Sequence, residues 1–236
     1  MTRSAKITGS PRRSRFADGS VNLSRRNALL IGVALATGVV AAPLQARAWH
    51  STDISSALPE VSFAMTRASD GKEVSGADYK GKVTLLYFGY TFCPDICSTT
   101  LLNLTMVLKK LGRLADDVRV LFVTVDPNRD TLQTLKQYTS AFAPQIDALR
   151  GTADQLAELA KRYRVAYSVK PETRDHPYEV THSSAVYVFD RSGQVRLLFS
   201  GLATANPDLD GIDDDLLTLL KQSSHLSLWQ RILNML

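Results

Sequence analysis

The chain has 236 residues, 44% of them hydrophobic and 22% charged, with a formal net charge of +5 and two cysteines. Two cysteines exclude a disulfide framework. The basic surplus is local: residues 1–48 hold eight Lys or Arg against one acid, Asp18, so a chain total of +5 leaves residues 49–236 at −2. A mildly acidic body argues against nucleic acid as a partner.

The first element in chain order is a leader. "SRRNALL" sets Arg25 and Arg26 before an apolar stretch, "ALLIGVALATGVVAA" (residues 28–42), and "PLQARAW" then offers Ala46-Arg47-Ala48 as a small-x-small cleavage pattern before Trp49. The apolar stretch suits a signal peptide and is short for a membrane span. Residues 1–48 therefore read as a twin-arginine-like export signal, or as an N-terminal anchor if residues 28–42 are retained. Either reading puts the body in an oxidising space, a bacterial periplasm, with inner-membrane contact through an uncleaved leader.

Residues 49–236 read as one domain. "EVSFAMTRASDGKEVS" predicts a hairpin turning at Asp70-Gly71, and "KVTLLYFGY" a strand buried on both faces. A helix is expected over 96–111, a second buried strand over 118–126, and helices over 131–142 and 153–163. "SSAVYVFDRSGQVRLLFSG" predicts a second hairpin turning at Arg191-Ser192-Gly193, and 207–221 a last helix. The fold class is α/β. A thioredoxin-like fold accounts for the order, with a central mixed sheet flanked by helices and a hairpin at each end. Other α/β folds share parallel strands with an edge hairpin, so order alone does not decide.

The chemistry concentrates in "TFCPDIC", which carries Cys93 and Cys97 where the buried strand passes into a helix. Pro94 and Asp95 suit a helix start. Cys97 then falls in the first turn, where unpaired backbone N–H groups favour a thiolate. Residues four apart share a helix face, so the two sulfurs converge. Three intervening residues suit an ion between the sulfurs better than rapid disulfide exchange. Of the four histidines, His50 lies at the expected new N-terminus, His176 in a polar loop and His225 near the C-terminus. His182, in "EVTHSSAVYVF", is placed in a loop leading into a core strand and facing the cysteines. Two thiolates and one imidazole suit Cu(I) and accept Cu(II).

"YFGYTFCPDIC", "VTVDPNRDT" and "VTHSSAVYVFD", in that order, resemble the SCO/SenC family over most of residues 58–221. The resemblance implies a thioredoxin-fold copper metallochaperone for cytochrome c oxidase, with Cys93, Cys97 and His182 as copper ligands. It also implies a copper-receiving oxidase subunit as partner, with other periplasmic copper carriers or thiol reductants beside it. Phe92 stands where a histidine is common and Ser98 where a proline is common. The competing readings are a structural disulfide between Cys93 and Cys97, a thiol–disulfide reductase working through the same pair, and a peroxide-reducing thioredoxin-like enzyme. Asp126 and Asp130 read as strand-end and helix-cap residues bridged by Arg129. Trp229, Ile232, Leu233 and Leu236 share one helical face that caps the core or meets a neighbour.

Overall fold

The computed structural model describes residues 48–233, so the leader reading lies outside the described residues. The domain is an eight-stranded sheet with helices on both faces and a separate two-stranded ribbon. Strand β4 (Val83–Gly89) is buried at all seven positions and β5 (Val118–Thr124) at six of seven. Runs this apolar are what a strand covered on both faces requires, and the two pair in parallel. Strand β6 (Ile146–Arg150) extends the parallel set. Antiparallel strands β9 (Val186–Phe189), β10 (Val195–Phe199) and the short β1 (Thr52–Asp53) complete one side of the sheet. The hairpin β2 (Ala64–Arg67) and β3 (Glu73–Ser75) completes the other.

Alternation along these strands makes two cores. On one face Val83, Leu85, Tyr87, Val120, Phe122, Val186 and Val188 pack under helix α1 (Ile96–Leu111) and helix α4 (Leu209–Leu233), with Leu135 of helix α2 (Leu132–Thr139). On the other, Leu86, Phe88, Leu121, Val123 and Phe189 pack under helix α3 (Ala153–Arg162) through Leu156, Leu159 and Ala160. Thr152 and Gln155 form a capping box at the start of α3, and Thr131 caps α2 by accepting the Thr134 N–H at 3.1 Å. The expected hairpin turns are present, with Gly71 and Gly193 at φ of 72° and 89°, the left-handed region that glycine enters freely.

Several expectations need correction. The second helix ends at Thr139, and the last begins at Leu209 and runs to Leu233. Strand β6 lies between two helices that were expected to be consecutive, and β1 was not foreseen. The ribbon β7 (Tyr167–Lys170) and β8 (Glu179–His182) occupies what reads as loop. The side chains of His225, Trp229, Ile232, Leu233 and Leu236 lie outside the described residues.

Candidate metal centre

Strand β4 delivers the chain to the site through Gly89. A Cβ at this position would stand 2.5 Å from a ring carbon of Phe122 and 3.0 Å from the Cys97 sulfur, so a side chain here would collide with the floor of the site. Cys93 follows in the connecting loop, half-buried, and α1 begins at Ile96 with Asp95 as its N-cap. The Asp95 carboxylate accepts the Thr99 hydroxyl at 2.9 Å instead of a backbone amide. Cys97, second residue of the helix, is fully buried.

That burial works against the expected thiolate while the site is metal-free. Desolvation pushes the Cys97 thiol up to about 12, with Cys93 nearby adding to the rise; the Tyr90 backbone amide works against it and loses. Position at a helix N-terminus favours the anion only where the sulfur keeps access to water or a cation.

His182 is found at the end of β8, not in a loop. Its Nε2 lies 3.2 Å from the Cys97 sulfur and its Nδ1 2.9 Å from the Ser183 carbonyl oxygen. A carbonyl oxygen only accepts, so Nδ1 carries the hydrogen and Nε2 presents its lone pair to the sulfurs. Burial lowers the pKa of this histidine, and its ring stands edge-on to Tyr90 at 5.6 Å between centroids. Sulfur, sulfur and Nε2 all lie within 4.8 Å of one another, the one grouping of metal-ligating side chains of this kind among the described residues. An open cleft of about 330 Å³ lies before them, lined by Tyr90, Cys93, Pro94, Ile96, Val180 and His182.

The remaining candidates are placed elsewhere or differently. His50 lies 3.9 Å from Asp208 and 3.8 Å from Asp214, away from the cysteines, and His176 sits in the exposed connection of the ribbon. Arg129 pairs with Asp126 and does not bridge to Asp130, which turns instead to Thr91 and Thr124. Sequence reasoning missed Gly89, Tyr90, Thr91 and Tyr178. Only Gly89 left a signal, as an isolated glycine closing an apolar strand.

Parallel strands joined through a cysteine-bearing helix, an antiparallel pair beside them and a histidine facing the sulfurs define a thioredoxin-like domain whose dithiol shares its pocket with an imidazole. The SCO1/SenC family model matches residues 55–214, and this chain belongs to that family. The mitochondrial SCO2 homolog of Bos taurus is 38% identical over 138 residues, covering 58% of this chain and 52% of the relative. The chain spans about half the length of several of the curated relatives it matches. Bradyrhizobium japonicum ScoI, solved with copper bound, is 36% identical with a TM-score of 0.59, covering 69% of this chain and 98% of that one. BsSco, described with a disulfide switch and as a member of the Sco family of cytochrome c oxidase assembly proteins, is 27% identical with a TM-score of 0.53 and covers 68% and 93%.

Proposed function

We propose that this chain is a copper carrier. It holds one copper ion through Cys93, Cys97 and His182 and passes it to the copper centre of a cytochrome c oxidase subunit. The observation that carries the reading is the convergence of two sulfurs and one lone-pair nitrogen within 4.8 Å. The donor set fits the metal: two soft sulfurs hold Cu(I), and the imidazole supplies the harder donor that Cu(II) needs. The copper-bound ScoI relative supports it. Binding through the two sulfurs releases the thiol protons they carry, that of Cys97 included, whereas Nε2 has none to lose. Handover then proceeds by exchange of these ligands for those of the recipient, one at a time.

Residues 1–48 act as export signal or anchor and place the domain outside the cytoplasm. Among the described residues no helix is long and apolar enough to cross a membrane.

A second reading is favoured by one observation, the disulfide switch of BsSco. Here Cys93 and Cys97 would reduce the recipient's disulfide by exchange: one thiolate attacks it, the other resolves the mixed disulfide, and this chain leaves oxidised. The two readings part at His182. Copper analysis of thiol-protected protein should give one Cu(I) per chain and none in Cys97→Ser. His182→Ala should keep its dithiol couple while losing stable Cu(II) and weakening Cu(I). Full oxidase activity in copper-limited cells carrying His182→Ala, with activity lost in Cys97→Ser, would transfer the function to the dithiol.

A further inference from the structure

The turn between β5 and α2 holds two carboxylates that the copper reading leaves without a task. Asp126 and Asp130 are both fully buried. Burying a carboxylate is costly unless every oxygen finds donors, and capping does not require it here because Thr131 caps α2. Each has one partner far off in sequence, Thr91 for Asp130 and Tyr178 for Asp126. Asp130 accepts the Thr91 N–H at 3.1 Å, the Thr91 hydroxyl at 2.6 Å and the Thr124 hydroxyl at 2.6 Å. Thr91 stands two residues before Cys93. Asp126 accepts the Tyr178 hydroxyl at 2.7 Å and pairs with the Arg129 Nε. Tyr178 stands four residues before His182, at the entrance to β8.

Arg129 joins the two sides. Its guanidinium carbon lies 3.8 Å from the centre of the Tyr178 ring, 4.8 Å from that of Phe92 and 5.9 Å from that of Tyr90. These distances are within cation–π range, and the planar group stacks where an ammonium would not. Phe92 precedes Cys93 directly, so one side chain touches both the loop that carries the cysteine and the ribbon that carries the histidine.

We infer that the turn 126–130 positions the ligand set: Asp130 fixes the cysteine loop through Thr91, and Asp126 with Arg129 fixes the histidine ribbon through Tyr178. Arg129 is the positioning residue that sets how closely His182 approaches the sulfurs. The consequence for metal rests on the copper reading; the geometry does not. Residues that orient metal ligands from outside are worth about 10–100-fold in affinity.

The test uses Arg129→Ala, Arg129→Lys and Tyr178→Phe in the full exported protein, read in two states. Without metal, the His182 ring resonances and the hydrogen exchange of amides 179–183 report the ribbon directly. With copper, Cu(II) affinity and the spin-resonance signature of the bound ion report the ligand set. Arg129→Ala should shift the ring resonances, speed exchange of the ribbon amides and lower Cu(II) affinity on the order of tenfold, and it should also lower the melting temperature, because the buried Asp126 carboxylate loses its cation. Tyr178→Phe keeps the ring and loses one hydrogen bond, so it should move every readout the same way by less. Arg129→Lys should recover part of the loss. Ring resonances and Cu(II) affinity at wild-type values in both Arg129→Ala and Tyr178→Phe would overturn the inference. A misfolded Arg129→Ala leaves Tyr178→Phe, one oxygen smaller, to decide it. If wild-type protein takes no copper at these residues, the copper reading fails alone, because the metal-free resonances still support or overturn the positioning role.

Discussion

Cys97 and His182 stand 3.2 Å apart yet belong to parts of the molecule built on opposite rules. Cys97 rests on β4, seven buried residues between two layers of helices, and on a glycine with no room for a methyl group. His182 closes a four-residue strand whose side chains alternate between exposed and half-buried, hydrogen-bonded as a strand only to β7 and outside the eight-stranded sheet. Elements with few buried apolar contacts open at lower free energy than the core. Cys97 thus rests on the most deeply packed layer of the domain, and the imidazole is carried by a two-stranded ribbon outside the main sheet.

The contrast is testable by matched substitutions. Gly89→Ala adds one methyl group to the floor and should cost about 1–3 kcal/mol, measured as a lower denaturant midpoint with unchanged slope. Thr181→Ala, an exposed change on the ribbon, should stay within about 0.5 kcal/mol. Equal costs would erase the distinction between floor and ribbon.

A pH series separates the two side chains next. Burial raises the Cys97 thiol from an ordinary 9.0 to about 12, so above pH 9 the unfolded chain releases a proton that the folded protein keeps. The stabilisation is complete below pH 9 and drains away as pH rises toward 12. His182 has the opposite sign: its value is lowered from 6.5, so unfolding takes up a proton and stability declines as pH falls below 6.5. Metal-free Cys97→Ala should therefore lose stability more gently than wild type above about pH 9, and an unchanged alkaline slope would remove the buried thiol from the account.

The smallest effect lies on the ribbon surface. Lys170 and Glu179 pair across β7 and β8 at 3.0 Å with both side chains more than half exposed. Lys170→Ala should cost under about 1 kcal/mol and leave Cu(II) affinity unchanged. A large loss of affinity would mean that this exposed pair, and not the turn beneath the ribbon, holds His182 in place.

How legible these regions were in the sequence follows the same division. β4, α1 and β5 announce themselves by long apolar runs and helical spacing, and both hairpins by their turn glycines, because local pattern and burial agree there. β6, "IDALR", escaped notice since it is short, carries Asp147 and Arg150, and becomes a strand by pairing with β5 and β2, far away in the chain. The ribbon escaped for a related reason: its half-exposed alternation is weak beside Pro171 and Pro177. Cys93, Cys97 and His182 could be chosen from residue type and order, and the structure brings them together. Asp126 and Asp130 could not be understood that way. Their hydrogen bonds reach 52 and 39 residues along the chain, to Tyr178 and Thr91, and no local rule encodes such partners.

The carbonyl that fixes the His182 ring belongs to Ser183, the very next residue. That contact lies within two adjacent residues, so the tautomer is set locally, with the Phe88 backbone of β4 as a second hydrogen-bond partner of the ring. A nitrogen kept bare by its own backbone neighbour needs no tautomer exchange before it meets a cation.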